Sequence, residues 1–178
     1  MIVIHANDPT TKVLSLLYDE RKSCCLHIDE SCSNSKVIHA VKDADSIMML
    51  GHGNAYGLFS IPNRKGQYKR HLISEKHIEF LRGKTCIGIW CYANVFAEHY
   101  CLHGLFSGMI ISELEEAIDN QIEASKEEID YEMELFTRRL KYCIEHYELK
   151  DVPAKMLELD DRHSQITQFN YSHLHFFE

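Results

Sequence analysis

Short apolar segments that alternate with amphipathic segments constrain the fold of this chain more than any other feature. Three of the apolar segments, MIVIH, DSIMMLGHG and KTCIGIWC, each contain a core of β-branched and other large apolar residues. Continuous apolar cores of this length are typical of parallel strands that are buried on both faces. The helical periodicity between them indicates βαβ units. The predicted fold is therefore α/β, with a mostly parallel central sheet as the middle of three layers.

Turn and capping signals complete the predicted order of elements. Asp8 and Pro9 predict the start of a helix over VLSLLY, and CCLHID (24–29) is a weaker strand candidate. A hairpin is predicted within residues 57–73, around the turn NRKGQ. The helical segment YANVFAEHYCLHG is expected to stop at Gly104, and SGMIIS is expected to form one more short strand.

The last third of the chain is more polar and contains a long helix. Apolar residues recur at intervals of four and three and form one stripe: Ile129, Met133, Phe136, Leu140, Cys143 and Tyr147. A helix with one such stripe is expected to lie on the sheet, and pairing of two such helices in a dimer is the alternative. We predict a single domain over 1–178, with a core of about 1–118 and a helical C-terminal extension of about 112–178. The tail FNYSHLHFF is a candidate edge strand.

Composition and charge exclude several classes of protein. The 178 residues suffice for one well-packed domain, and the net charge of −8, without a Lys/Arg cluster, argues against nucleic acids and anionic membranes as partners. No apolar stretch approaches the roughly 20 residues of a membrane span, and the first residues lack the features of a signal peptide. The seven cysteines are an odd number, and Cys24 and Cys25 are adjacent, which suits reduced thiols. We therefore expect a cytoplasmic protein.

Two strand ends carry residues that are typical of a catalytic site. His52 lies between Gly51 and Gly53 after one strand, and Cys91 follows another. The carboxyl ends of parallel strands meet at one edge of the sheet, so the imidazole and the thiol are expected to face one cleft. The histidine can lower the pKa of the thiol or accept its proton, and can later protonate a leaving amine. The glycines let the backbone approach a substrate and leave an amide N–H for an oxyanion.

The motifs SIMMLGHGN and TCIGIWCYAN together resemble those of the caspase-like cysteine peptidases, which include caspases, metacaspases, legumains, gingipains, clostripains and separases. In that family, one apolar strand ends in His-Gly and a later one ends in the nucleophilic Cys. The resemblance covers about residues 1–118. It implies a caspase-like fold and a bacterial cysteine endopeptidase that needs no cofactor and acts on a polypeptide substrate. It assigns Cys91 as the nucleophile, His52 as the general base and acid, and the amides of Gly53 and Cys91 as the oxyanion hole.

The chain departs from the family pattern beside the nucleophile. Trp90 is bulkier than the residues that many relatives have there and would narrow the cleft, and no acidic activation loop follows Cys91. In the family, the loop after the first strand borders the pocket for the residue that precedes the cleaved bond. Asp8 is the acid in that loop and Glu113 is a second candidate, so substrates with Arg or Lys at that place are expected. Helix capping is the alternative role of Asp8.

Other interpretations apply to parts of the chain. The same fold without activity would be an interaction module that binds through the long amphipathic helix, and a regulatory partner is expected for so small a chain. A zinc site over Cys91, His99, Cys101 and His103 is not favoured, because only His99 and His103 would share a helix face and no CxxC motif accompanies them. The acidic SELEE (112–116) is expected to begin a helix. No metal site is predicted.

Overall fold

A six-stranded central sheet organises the chain. The computed structural model describes residues 1–19, 26–29, 31–63, 65–68 and 70–178, and of residues 26–28 only the backbone. The strands of this part of the chain are β1 (Ile2–His5), β2 (Leu26–Ile28), β3 (Ser46–Leu50), β4 (Gly53–Asn54), β5 (Gly57–Phe59), β6 (His71–Ile73), β7 (Thr85–Ile89), β8 (His103–Ser107) and β9 (Leu174–Phe177). The central sheet has the order β2-β1-β3-β7-β8-β9, and its only antiparallel pair among these strands is β8 with β9. The predicted α/β class with a mostly parallel sheet is confirmed.

Helices cover both faces of the central sheet. The α-helices are α1 (Asn34–Asp43), α2 (Ile78–Leu81), α3 (Ala93–Tyr100), α4 (Leu114–Asp119), α5 (Lys126–His146), α6 (Val152–Glu158) and α7 (Gln165–Ser172). Successive strand residues face opposite ways: Ile47 and Met49 pack with residues of α1, α2 and α3, whereas Met48 and Leu50 pack with residues of α5 and α6. This arrangement is compatible with three layers.

The helix predicted after the first strand begins at the expected residue. Asp8 is its N-cap, and residues Pro9–Leu17 form a 3-10 helix on the same face of the sheet as α5. β2 corresponds to the weaker strand candidate, but Cys24 and Cys25 lie outside the described residues. The capping residues therefore predicted the start of this helix correctly. The sequence pattern did not distinguish a 3-10 helix from an α-helix.

The strand predicted over SGMIIS is wrong, and so is the helix stop predicted at Gly104. α3 ends at Tyr100, and Gly104 lies inside β8. Its φ is +132°, and a Cβ at this position would lie 1.9 Å from the carbonyl oxygen of Cys86 on β7. Glycine is required here because two strands approach closely, and not because a helix ends.

The apolar residues of SGMIIS belong to a buried loop between β8 and α4. Ile110 and Ile111 are buried there. Asn170 of α7 takes the place of a strand partner, since the Ile111 N–H donates to its Oδ1 at 2.8 Å and its Nδ2 donates to the Ile111 carbonyl oxygen at 3.0 Å. Apolar composition alone does not distinguish a buried loop of this kind from a buried strand.

β4, β5 and β6 form a second, small antiparallel sheet. The predicted hairpin is confirmed as the β5–β6 pair, although Arg64 of its turn lies outside the described residues. β4 is absent from the sequence prediction because two residues are too few to show a periodicity. This strand begins directly after His52, so the small sheet holds the chain on the C-terminal side of that residue.

The C-terminal helices close the second face of the central sheet. α5 carries the predicted apolar stripe, and Ile129, Phe136 and Leu140 of that stripe are fully buried in the core shared with the sheet. The prediction of a helix lying on the sheet is therefore confirmed. The tail forms an edge strand only at Leu174–Phe177, because the residues before it belong to α7. Among the described residues, no helix combines the length and apolar character needed to cross a membrane.

Candidate active site

Cys91 lies in a tight turn between β7 and α3. The Ala93 N–H donates to the carbonyl oxygen of Trp90 at 3.1 Å and closes a four-residue turn around Cys91 and Tyr92. Tyr92 has φ +68°, a left-handed conformation that a non-glycine residue rarely adopts. Backbone strain of this kind is concentrated at functional sites, and here it directly follows the predicted nucleophile.

Ser107 at the end of β8 holds this turn in place. Its hydroxyl group accepts from the Trp90 N–H at 3.0 Å and donates to the Trp90 carbonyl oxygen at 2.8 Å. The Ser107 side chain is fully buried. Because both backbone groups of Trp90 are bound to the neighbouring strand, the turn that carries Cys91 is anchored to the sheet.

His52 reaches the same edge of the sheet from the adjacent strand. β3 and β7 are neighbours, with Leu50 opposite Ile89, so the residues that follow them are His52 and Cys91 at one carboxyl edge. Gly51 between β3 and His52 has φ +141°, which favours glycine. The first glycine of the GHG motif therefore allows the chain to turn out of the sheet.

Trp90 couples the loop of His52 to the turn of Cys91. Its indole Nε1 donates to the Asn54 carbonyl oxygen at 3.1 Å. A Cβ on Gly53 would lie 2.1 Å from Cδ1 of Trp90 and 2.6 Å from the Gly57 carbonyl oxygen, so only glycine fits at this position. The bulky side chain, expected to narrow the cleft, is buried in the core beneath this loop, and Trp90 contributes one part of the cleft wall.

His52 and Cys91 line one cleft, together with Thr10 and Ile110 among other residues. The Cys91 thiol donates to the Ile110 carbonyl oxygen, 3.7 Å from Sγ, and to Glu116 Oε1, 3.6 Å from Sγ. The His52 ring is hydrogen-bonded to the Thr10 hydroxyl group. Within the described residues, the thiol and the imidazole thus share the cleft without a direct hydrogen bond. Catalytic contacts are often longer in unliganded sites.

Thr10 determines the orientation and tautomer of His52. Oγ1 of Thr10 lies 2.8 Å from His52 Nε2 and donates its proton to Asp8 Oδ1 at 2.8 Å. A hydroxyl group has one proton, so Nε2 is the donor in its contact with Thr10. The neutral ring then carries its proton on Nε2, and Nδ1 is the acceptor. Nδ1 is therefore the ring nitrogen with a lone pair for accepting a proton.

Asp8 is a buried helix cap whose carboxylate already accepts three hydrogen bonds. The donors are the Thr10 N–H at 3.1 Å, the Thr10 hydroxyl group and the Tyr68 hydroxyl group at 3.1 Å. Burial alone would raise the pKa of Asp8, but these hydrogen bonds outweigh burial and lower the pKa below its ordinary value. The Tyr68 ring also packs near His52, with ring centroids 5.7 Å apart. Asp8 thus reaches the imidazole through Thr10.

Glu113 is the acidic residue that faces His52. It is the N-cap residue of α4, its side chain is 41% exposed, and its Oε1 lies 3.7 Å from His52 Nε2. Of the two acids predicted from the sequence, Glu113 therefore has the accessible carboxylate beside the imidazole, and Asp8 has the buried one.

Glu116 is a third acid at the site, and the sequence analysis does not single it out. The predicted helix start over SELEE is confirmed, since a Glu116 carboxylate oxygen accepts from the Glu113 N–H at 3.0 Å in a capping box. Its other oxygen is the one that faces Cys91. The capping pattern was readable in the sequence, but the contact with Cys91 depends on the course of the buried loop, which resembles a strand in composition.

The surroundings of Cys91 favour the protonated thiol. Burial raises the pKa of Cys91 to about 12, and the negative charges of Glu116 and Glu113 also raise it. Of the two roles predicted for His52, lowering the pKa of the thiol or accepting its proton, the first is opposed by these surroundings. Burial and the two carboxylates therefore both favour the thiol over the thiolate.

The amide of Gly53 points away from the small sheet. The Phe59 N–H donates to the His52 carbonyl oxygen at 2.8 Å, and Gly53 lies opposite Leu58 at the next position of the ladder. Hydrogen-bonded and non-hydrogen-bonded pairs alternate in an antiparallel ladder, so the Gly53 N–H faces away from β5. With the amide of Cys91 at the start of its turn, it is a candidate donor to an oxyanion.

The residues considered for zinc do not lie on one helix. His99 belongs to α3, Cys101 is exposed at the end of that helix, and His103 begins β8. In the described part of the chain, no group of three or more histidine, cysteine or acidic side chains is arranged to hold a metal ion.

No model of a known protein family matches the chain, and comparison with curated proteins gives no significant match.

Proposed function

We propose that the chain is a cysteine endopeptidase with a caspase-like fold, in which Cys91 and His52 form the catalytic dyad. One observation carries the proposal: the two residues follow neighbouring parallel strands, β7 and β3, and line one cleft. The strained turn after Cys91 and the defined tautomer of His52 support it. The resemblance of the two motifs to those of caspase-like peptidases supports it independently.

In the first half of the proposed reaction, Cys91 becomes acylated. Nδ1 of His52 accepts the thiol proton while Sγ attacks the carbonyl carbon of the scissile bond. The amides of Gly53 and Cys91 stabilise the negative charge that develops on the carbonyl oxygen. His52 then gives its proton to the nitrogen of the leaving amine, the C–N bond breaks, and the acyl group stays on Cys91 as a thioester.

In the second half, water hydrolyses the thioester. His52 takes a proton from the water molecule, whose oxygen attacks the thioester carbon. The C–S bond then breaks, His52 returns that proton to Sγ, and the Cys91 thiol is regenerated as the acid product leaves. Thr10 keeps the second ring proton on Nε2 throughout. Because the Thr10 proton is donated to Asp8, the buried carboxylate stabilises the imidazolium through this hydroxyl group.

The proposed substrates carry Arg or Lys before the cleaved bond. The acids nearest the dyad are Glu113 beside His52 and Glu116 beside Cys91. Glu113 is a better anchor than Asp8, because its carboxylate is half-exposed whereas that of Asp8 is buried and accepts three hydrogen bonds. A guanidinium group would bind Glu113 by paired, charge-assisted hydrogen bonds.

A peptide-library cleavage profile tests the activity and the specificity together. The wild-type protein is expected to cleave after Arg or Lys, and Cys91→Ala is expected to abolish cleavage. Cys101→Ala, which removes an exposed thiol at the end of α3, is the matched control and is expected to retain activity. Glu113→Gln is expected to lower kcat/KM for an Arg substrate about tenfold, the effect of losing one charged hydrogen-bond partner.

Two outcomes would contradict these expectations separately. Cleavage after Asp, or an Arg preference that Glu113→Gln leaves unchanged, would overturn the specificity alone. Absence of cleavage, together with no labelling of Cys91 by a peptidyl acyloxymethyl ketone, would overturn the peptidase. That result would leave the inactive interaction module, which would have to use a surface other than the buried apolar stripe of α5.

A further inference from the structure

The two carboxylate oxygens of Glu116 have different partners. Oε2 accepts from the Ser112 N–H at 2.7 Å, from the Ser112 hydroxyl group at 3.0 Å and from the Glu113 N–H at 3.0 Å. Oε1 lies 3.6 Å from Sγ of Cys91. Three donors on one oxygen hold the carboxylate in place, and the other oxygen is thereby aimed at the sulfur.

Both hydrogen-bonding partners of the Cys91 thiol are acceptors. They are Glu116 Oε1 and the carbonyl oxygen of Ile110, 3.7 Å from Sγ. An S–H group donates to such oxygens. A thiolate at the same place would instead be repelled by the negative carboxylate and by the partial negative charge of the carbonyl oxygen. This arrangement stabilises the thiol, although the thiolate is the nucleophile.

The charged and titratable groups that face Cys91 come from two elements. Glu116 lies on α4 and Glu113 is its N-cap residue, while His52, at the end of β3, lines the same cleft and is bound to Thr10. Of these groups, only His52 can favour a thiolate, and it does so when it carries a proton. Among these charged groups, Glu116 is the one in hydrogen-bond contact with the sulfur, and its negative charge adds to the effect of burial.

We propose that Glu116 is a positioning residue that holds Cys91 as a thiol in the resting protein, and that this contact is lost when Cys91 reacts. The inference on ionisation concerns Cys91 itself, and its consequence for catalysis rests on the proposed peptidase function. Glu116 thus protects a half-buried nucleophile from adventitious reaction and lowers its reactivity until a substrate occupies the cleft.

Glu116→Gln isolates this role because glutamine preserves the cap. Gln serves as well as Glu at the third helical position of a capping box, so its amide oxygen can accept from Ser112 and Glu113. Its NH₂ group is then aimed at the sulfur and donates to a thiolate. The substitution therefore replaces an acceptor by a donor at Sγ while the helix start is kept.

The measurement is the rate at which iodoacetamide alkylates Cys91 as a function of pH, followed by peptide mass mapping. In the wild-type protein, the midpoint of this pH dependence is expected well above about 8.5, the ordinary pKa of a cysteine thiol. In Glu116→Gln we expect a fall of about one pH unit or more, which raises the thiolate fraction about tenfold below the midpoint. The alkylation rate at such a pH is expected to rise by only about threefold, because a thiolate of lower pKa is also a weaker nucleophile.

Glu115→Gln is the matched control, since it removes the same charge from an exposed position one residue earlier on α4. It is expected to leave the alkylation profile of Cys91 unchanged, and thermal unfolding checks that all three proteins are equally folded. A wild-type midpoint near or below about 8.5 would overturn the proposal without any variant. An unchanged midpoint in Glu116→Gln would overturn it as well.

Two further outcomes separate this inference from the peptidase function. Slower alkylation and slower cleavage in Glu116→Gln would show that the carboxylate accepts the thiol proton as a base, which contradicts the proposal. A lowered midpoint without cleavage of any peptide would support the ionisation role of Glu116 and would count against the peptidase alone.

Discussion

At the scale of single residues, the orientation of His52 depends on a hydroxyl group. Thr10 accepts from Nε2 of His52 and donates to the buried carboxylate of Asp8, a pair of roles that an aliphatic side chain cannot fill. Asp8 was recognisable in the sequence as a helix cap, but the contact of Thr10 with a histidine 42 positions away was not. It results from the adjacency of β1 and β3 in the sheet.

Thr10→Val tests this role at nearly constant shape. With the hydroxyl group removed, Nε2 loses the acceptor 2.8 Å away and keeps only the Glu113 carboxylate at 3.7 Å. Other ring orientations and tautomers then become accessible, so kcat is expected to fall about tenfold or more. KM is expected to change little, because Glu113 and the rest of the proposed substrate contacts are kept. Steady-state kinetics checks both parameters.

Thr10→Ser restores the hydroxyl group and is the matched control for Thr10→Val. It is expected to recover most of the wild-type kcat. If valine and serine at this position give the same kcat as threonine, the hydroxyl group has no part in positioning His52.

At the scale of elements, the long apolar strands were predictable and the short or irregular elements were not. β1, β3 and β7 are continuous apolar runs, and these are the strands that carry the site at their ends. β4 is too short to show periodicity, and β8 contains Gly104, whose role in strand packing looks like a helix stop in the sequence. The first error comes from the length of the strand, and the second from a tertiary contact that overrides the local pattern.

Ser107 provides the test at this scale, because it anchors the turn of Cys91 to β8. Ser107→Ala leaves the buried N–H of Trp90 without the acceptor it has in the structure, which is expected to cost about 1–3 kcal/mol of unfolding free energy. Cleavage activity is expected to fall as well, because the turn loses its support. Urea unfolding and the peptide-cleavage rate check the two effects.

Ser35→Ala is the control for Ser107→Ala, since Ser35 is exposed on α1, and its free energy of unfolding should stay within about 0.5 kcal/mol of the wild type. Equal stability and activity of Ser107→Ala and Ser35→Ala would show that the turn is held without the Ser107 hydroxyl group.

At the scale of the whole molecule, the candidate site is assembled from separate loops at one edge of the central sheet. Cys91 and His52 could be paired from the sequence because both follow strong apolar strands, and parallel strands share an edge. Thr10 and Glu116 could not be placed, since their contacts depend on how the first helix and the buried loop before α4 pack on the sheet. The sequence therefore predicted that Cys91 and His52 lie at one edge of the sheet, and the structure adds the side chains that contact them.

Trapping the acyl-enzyme tests the central claim, that Cys91 and His52 carry out acyl transfer, most directly. A peptide ester with Arg before the ester bond is mixed with the protein, quenched with acid during turnover, and analysed by intact mass and peptide mapping. The acyl mass is expected on Cys91 of the wild-type protein, absent in Cys91→Ala and strongly reduced in His52→Ala. Hydrolysis that persists in Cys91→Ala, or an acyl group on another residue, would contradict the claim.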